Sequence, residues 1–311
     1  MTHPIAQEPS SAQPPSSARV AVIGAGAIGG YAAALAHWAG LDVTVCVRSA
    51  VDSLTIETGG EVRTAPVPIA TDPAQVTPVD WVLLTTKAQD TAGAEGWLRR
   101  LCGPGTAVAV LQNGVGHQER VAPYVPEGTE ILPVVAYISA ERTAPGHIRH
   151  HIASELQVPE GPLAERFAAL LAGSELTVRP VRDFTTAAWR KLFTNLAANP
   201  ITALLQQRIG VFADPGVTAL ARDLLREAAA VARAEGADIG EPDVTHTLEI
   251  YAIAPPDGGS SMLYDRLAGR PLEHEYITGA VVRAGERHGI ATPLNGMLLA
   301  LLRAVDHELR G

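Results

Sequence analysis

Cysteine is nearly absent from this chain: two residues in 311, Cys46 and Cys102, with no CxxC spacing. Two isolated thiols exclude a disulfide framework, and a reducing compartment, the cytoplasm, is the expected location. Basic charge is scarce as well. Lys and Arg number 24 against 33 Asp and Glu, a formal net charge of -9. That balance removes the broad positive surface by which nucleic acid or an anionic membrane is bound, so neither is an expected partner. A local basic pocket for one phosphate group is still allowed.

Also missing is a run lipophilic enough to cross a bilayer. From Val20 to Leu41 no side chain is formally charged when His37 is neutral, and the length would suffice. Five glycines (Gly24, Gly26, Gly29, Gly30 and Gly40) and many alanines dilute the run. The opening segment, MTHPIAQEPSSAQPPSSA, has no basic region followed by an apolar core, and its Ser, Pro and Ala content predicts a disordered tail over residues 1–18.

What is present is an alternation of strand-like and helical runs. RVAVIG, LDVTVCVR, DWVLLTTK, TAVAVLQN and EILPVVAYIS are near-continuous apolar strands separated by helical segments such as YAAALAHWAG. This pattern predicts an α/β fold, a doubly wound parallel sheet covered by helices on both faces. GHIRHHIASELQVP and a helix near PLAERFAALLAG are expected to complete it. From about Asp183 the periodicity becomes helical, which predicts an all-helical C-terminal domain. Its expected helices include 185–199, 216–235, 271–288 and 293–309, the last with Leu294, Leu298, Leu301 and Val305 on one buried stripe.

Within the first strand-to-helix turn stands Gly24-Ala25-Gly26-Ala27-Ile28-Gly29. Glycine at the first position permits the tight turn, at the second it lets backbone approach a pyrophosphate, and at the third it packs helix on strand. The helix N-terminus then offers unpaired N–H groups to the phosphates. A dinucleotide is the expected cofactor. The second strand ends at Arg48, where an NAD-selective fold would carry an acid for the ribose hydroxyls. Arginine cannot accept those bonds but can grip a 2′-phosphate, so NADP(H) is favoured over NAD(H).

Ligands of open α/β sheets bind beyond the carboxyl ends of the strands. Lys87 and Asn113 occupy that end of DWVLLTTK and TAVAVLQN, facing the expected nicotinamide. In the second half, Lys191, Asn195 and Asn199 are spaced i, i+4 and i+8, a polar stripe about 12 Å long beside apolar Trp189, Leu192 and Leu196. Pro200 is expected to kink or end that helix at Asn199. Further on, SSMLYDRLAGRPLEHE holds Ser261, which is placed to cap a helix, and Glu273, which follows Pro271 where a helix dipole would favour an acid. His147, His150 and His151 do not suggest a metal: strand alternation turns His150 away, and the other two would lie about 13 Å apart. No metal is expected.

Taken in order, these segments resemble the ketopantoate reductase (2-dehydropantoate 2-reductase) family. The matching elements are GAGAIG, Lys87, QNGVG, the block W-x-K-L-x-x-N-x-x-x-N-P-x-T-A, and SSM followed by Glu273. The resemblance runs from about Arg19 to near the C-terminus. It implies a Rossmann domain over residues 19–182, a helical substrate domain over 183–311 and a cleft between them. It also implies NADPH-dependent reduction of 2-dehydropantoate to pantoate, in pantothenate biosynthesis, with Lys191 as general acid. Asn113, Asn195, Asn199 and Ser261 would hold the substrate, Lys87 would sit by the nicotinamide ribose, and Glu273 would organise cofactor and substrate. A homodimer is the assembly it allows. QQRIG and GHIRHHIASE, which lacks the glycines often found there, depart from the family's usual pattern, which leaves room for a different 2-oxo acid. A non-catalytic NADP(H)-responsive binding protein is the reading from another class, but it has no use for Lys191 beside two asparagines.

Overall fold

The computed structural model describes residues 18–310; the expected disorder of the N-terminal tail falls, but for Ala18, outside that range. Strand β1 (Arg19–Ile23) turns at glycine into helix α1 (Ala27–Trp38) and returns as β2 (Asp42–Cys46), parallel to β1. A hairpin, β3 (Leu54–Thr58) and β4 (Glu61–Ala65), follows, and then β5 (Ile69–Ala70), β6 (Trp81–Leu84), α2 (Glu95–Leu101), β7 (Ala107–Val110), α3 (His117–Val121) and β8 (Glu130–Pro133). Six of these strands form one parallel sheet in the order β5-β2-β1-β6-β7-β8. Its central strands are buried on both faces, which is why they read as apolar runs. Val20, Val22 and Leu83 pack toward α1, while Ala21, Ile23, Val82 and Leu84 pack toward Trp97, Leu98 and Leu101 of α2.

The next strands build a second sheet instead of extending this one. β9 (Val135–Ala144), β10 (His147–Pro159) and β11 (Thr177–Val181), with α4 (Pro162–Leu170) between the last two, join β3 and β4 in a second, mixed sheet. Alternation explains the difference. In β10 His147 and Arg149 are exposed while Ile148 is buried, a strand with one wet face, unlike the doubly buried strands of the parallel sheet. Its dry face rests on α1: a Cβ on Gly30 would lie 2.6 Å from Ile148 Cδ1. EILPVVAYIS is correspondingly two strands. The Val134 N–H still bonds Val110 O at 3.0 Å, and the chain then enters the second sheet at Val135.

The rest is helical: α5 (Phe184–Leu196), α6 (Ala198–Leu205), α7 (Pro215–Ala234), α8 (Glu241–Ile253), α9 (Ser261–Leu267), α10 (Thr278–His288) and α11 (Pro293–Arg310). Asp183 caps α5 by accepting the Thr186 N–H at 2.9 Å. Three expectations shift. The helix carrying Lys191 breaks at Ala197, earlier than Asn199, because the Pro200 ring opposes the carbonyl of Leu196, four residues back. Pro200 thus falls in the first turn of α6, where a missing N–H costs nothing. The Tyr251 hydroxyl satisfies the break, donating toward Phe193 O and Thr194 O at 3.1 Å and accepting from Ala198 N at 3.3 Å. The helix expected from Pro271 begins only at Thr278, and the Leu272 N–H before it donates to Asp306 Oδ1 at 2.7 Å. In α11 the buried stripe runs through Leu294, Leu298, Leu302 and Val305, and Leu301 is 51% exposed.

Candidate active site

The glycine turn between β1 and α1 is built for close approach. Gly24 sits at φ +104, a conformation that side chains resist, and its N–H bonds Cys46 O at 2.9 Å. A Cβ on Gly29 would lie 2.1 Å from both Gly24 O and Thr85 Oγ1, so helix and strand touch through it. At Gly26 nothing lies within 4 Å of the same construction. The middle glycine thus faces open space. Gly26 is also the N-cap of α1, with no side-chain cap and no acid in the first turn, so the N–H groups around Ala25, Ala27 and Ile28 meet no competing carboxylate. The residues present suit a dinucleotide pyrophosphate.

Strand β2 ends at Cys46, two residues before the expected Arg48. Arg48 is exposed just beyond it, and its guanidinium makes no hydrogen bond or ion pair among the described residues. The Gly24–Cys46 bond places this corner beside the glycine turn. Both cysteines are free and buried, and burial pushes each thiol up to about 12.

Lys87 and Asn113 follow adjacent parallel strands, β6 and β7. Glu273 joins the loops behind them: its Oε2 accepts from Asn113 Nδ2 at 3.2 Å and its Oε1 from Ala88 N at 3.4 Å. Glu273 is therefore no helix-start acid; it lies in the segment before α10, buried against the strand ends. Lys87 Nζ is bonded to Asp265 Oδ2 of α9, and the other carboxylate oxygen, Oδ1, accepts from Arg270 Nε at 2.9 Å. Asp265 escaped the sequence reading, although it lies one helical turn beyond Ser261, on the same face. Gln112 ties the two loops together, donating to Thr86 Oγ1 at 3.0 Å and to Lys87 O at 3.4 Å.

On the helical side Lys191 and Asn195 lie one turn apart on α5, and Asn199 opens α6. Asn199 is buried and donates to Ser261 Oγ at 3.3 Å. Ser261 is not the cap. Ser260 caps α9, accepting from Leu263 N at 3.1 Å and pairing with Thr202 Oγ1 at 2.7 Å, which frees the Ser261 hydroxyl. Lys191 Nζ stands 5.0 Å from the centroid of the Tyr137 ring. It has no hydrogen-bond or carboxylate partner among the described residues, and burial holds its pKa below the ordinary lysine value.

Two groups emerge. Asn113 and Glu273 are joined, through Ala88 N, to the loop that carries Lys87 and its partner Asp265, while Asn199 of α6 is bonded to Ser261, one turn before Asp265 on α9. Lys191 and Asn195 share a helix face but bond to none of these. Of the histidines, His150 stacks on Tyr31 at 4.3 Å and turns Nε2 to Ala153 O at 2.9 Å. Among the described residues no set of three His, Cys, Asp or Glu side chains is arranged for a metal ion, and no helix is long and apolar enough to cross a membrane. The arrangement combines a glycine turn open at Gly26, an ammonium with no carboxylate partner among the described residues and a ring of amide, hydroxyl and carboxylate groups.

Residues 20–162 match the family model described as ketopantoate reductase PanE/ApbA, and residues 183–306 match the ketopantoate reductase PanE/ApbA C-terminal model. A 2-dehydropantoate 2-reductase of Caulobacter vibrioides is 43% identical over 288 residues, 92% of this chain and 98% of that protein. Among solved structures, a PanE/ApbA family ketopantoate reductase from Ralstonia eutropha JMP134 superposes with a TM-score of 0.87 at 31% identity, covering 94% of this chain and 100% of the other. A dimeric ketopantoate reductase from Staphylococcus aureus gives a TM-score of 0.85 at 28% identity, over 94% and 99% of the two chains.

Proposed function

The chain belongs to the ketopantoate reductase PanE/ApbA family, and from that premise we propose that it reduces 2-dehydropantoate to pantoate with NADPH, Lys191 giving the proton. The observation that carries the reading is the Lys191 ammonium, desolvated and without a carboxylate to neutralise it. Reduction of a ketone builds negative charge on its oxygen, and a positioned ammonium both stabilises that charge and protonates it. A pKa lowered by burial brings the donor nearer to working pH, where proton transfer is most effective.

A reduced nicotinamide dinucleotide held in the glycine cradle would supply the hydride. Gly24, Gly26 and Gly29 shape its pyrophosphate site, and Arg48, two residues beyond β2 and unpaired among the described residues, grips the 2′-phosphate. Lys87 and Asn113 stand on the nicotinamide side. Asn195, Asn199 and Ser261, with Asn113, orient the carboxylate and hydroxyl of the 2-oxo acid. Glu273, fixed by Asn113 and Ala88, organises cofactor and substrate together. Residues 19–182 then serve as the cofactor domain and 183–311 as the substrate domain of a cytoplasmic enzyme. A second copy of the chain is the assembly proposed, as in the Staphylococcus aureus protein described as dimeric.

Lys191→Ala tests the central role. Loss of the general acid is expected to lower kcat by about 10² to 10⁴ with NADPH binding retained. Unchanged turnover would remove Lys191 from the chemistry.

A further inference from the structure

The second sheet sends one strand to the helical half of the molecule. β9 pairs antiparallel with β10, with Tyr137 opposite Glu155, and from that position the Tyr137 ring meets Lys191, whose Nζ is 5.0 Å from the ring centroid. We propose that the face of the Tyr137 ring is the positioning partner of the Lys191 ammonium, holding it from the opposite half of the chain. The inference rests on Lys191 being the proton donor.

No other side chain bonds or pairs with the Lys191 ammonium among the described residues. The elements packed against α5 are α6, α7, α8, β9 and β10. α6 carries no charged residue. Arg190, next to Lys191, is paired with Asp243 of α8 at 2.8 Å. Tyr251 of α8 spends its hydroxyl on the backbone at the end of α5. On α7, Arg233 donates to Ile239 O at 3.2 Å and Arg226 pairs with Glu241 at 2.7 Å. On β9, Glu141 is held by Arg149 of β10 at 3.0 Å. Glu155 of β10 lies 3.7 Å from Arg179 of β11, and these two, with Arg190, act on the Tyr137 phenol. None of these charges shifts Lys191, whose pKa burial lowers.

A cation within about 6 Å of an aromatic centroid is attracted by the ring quadrupole, most strongly when both are desolvated. The ring therefore favours the charged lysine and opposes the effect of burial. A donor works while protonated, so kcat falls as pH rises through the Lys191 pKa. Removing the ring lowers that pKa and brings the fall to lower pH. The phenol is not the titrating group, because burial pushes Tyr137 above its ordinary value.

The test is kcat against pH, with ketopantoate and NADPH, for the full chain and for Tyr137→Phe, Tyr137→Leu, Tyr137→Met and Lys191→Ala. Tyr137→Phe keeps the ring and is expected to superimpose on the parent profile. The two ringless variants are expected to move the alkaline limb down by about 0.5 to 1.5 pH units, and whichever of them folds decides the matter. A limb that stays in place or moves up in the ringless variants overturns the proposal, as does a shift in Tyr137→Phe as large as theirs. Full turnover in Lys191→Ala would sink the proton-donor reading itself. Loss of turnover there, with no shift in the ringless variants, would sink only the role of Tyr137.

Discussion

The guanidinium of Arg48 stands unpaired two residues beyond β2, close to the glycine turn through the Gly24–Cys46 hydrogen bond. A charge-assisted bond to a phosphate contributes about 1.5 to 3 kcal/mol, roughly a tenfold to a hundredfold preference. Arg48→Ala is therefore expected to raise KM for NADPH by that factor and to leave KM for NADH nearly unchanged, read from initial rates with each cofactor. Equal effects on both would show that Arg48 does not contact the 2′-phosphate. Residue type and strand position suffice to suggest a role of this kind for a single side chain, and the position of Arg48 just past β2 was legible to within two residues. Ser261 and Glu273 were legible by spacing yet misread in local terms, one as a cap and one as a helix-start acid. The cap is its neighbour Ser260, and Glu273 spends its carboxylate on Asn113 and on the backbone of Ala88.

Among elements, the turn from β1 into α1 separates two uses of glycine. Gly29 exists for packing, since a Cβ there would meet a backbone oxygen at 2.1 Å, whereas Gly26 has open space around it. Gly26→Ala should leave the urea unfolding midpoint in place and weaken NADPH binding by about tenfold or more, since it intrudes where the pyrophosphate lies. Gly29→Ala should lower the midpoint itself. A Gly26→Ala protein that binds NADPH normally would contradict the placement of the phosphates. Helices with long apolar stripes were legible, as α7 and α11 show, but phase was not always. Leu301 fits the same periodic pattern as Leu302, and only packing against α7 and α10 shows which of them is buried. β10 was legible as a strand but not as part of a second sheet, because its pairing with β3 is distant in sequence.

Over the whole molecule, the two halves are stitched together at the strand ends by pairs far apart in sequence. Lys87 and Asp265 are 178 residues apart, and Ala88 and Glu273 are 185 apart. No local pattern carries such pairs, which is why Asp265 and Tyr137 went unread while the cradle and the Lys191 block did not. Joined this way, the halves bring the proposed phosphate cradle, an ammonium unpaired among the described residues and a set of amide and hydroxyl groups into one chain whose overall charge is -9. Such a chain has no general attraction for anions, so selectivity for its substrate must come from these few groups. The most direct measurement is NADPH oxidation by the purified full chain against a panel of 2-oxo acids that includes ketopantoate, with NADH run in parallel. The expected result is the highest kcat/KM for ketopantoate, and for NADPH over NADH by at least about tenfold. A higher kcat/KM for another 2-oxo acid, or cofactor binding with no turnover of any acid, would contradict the proposed function.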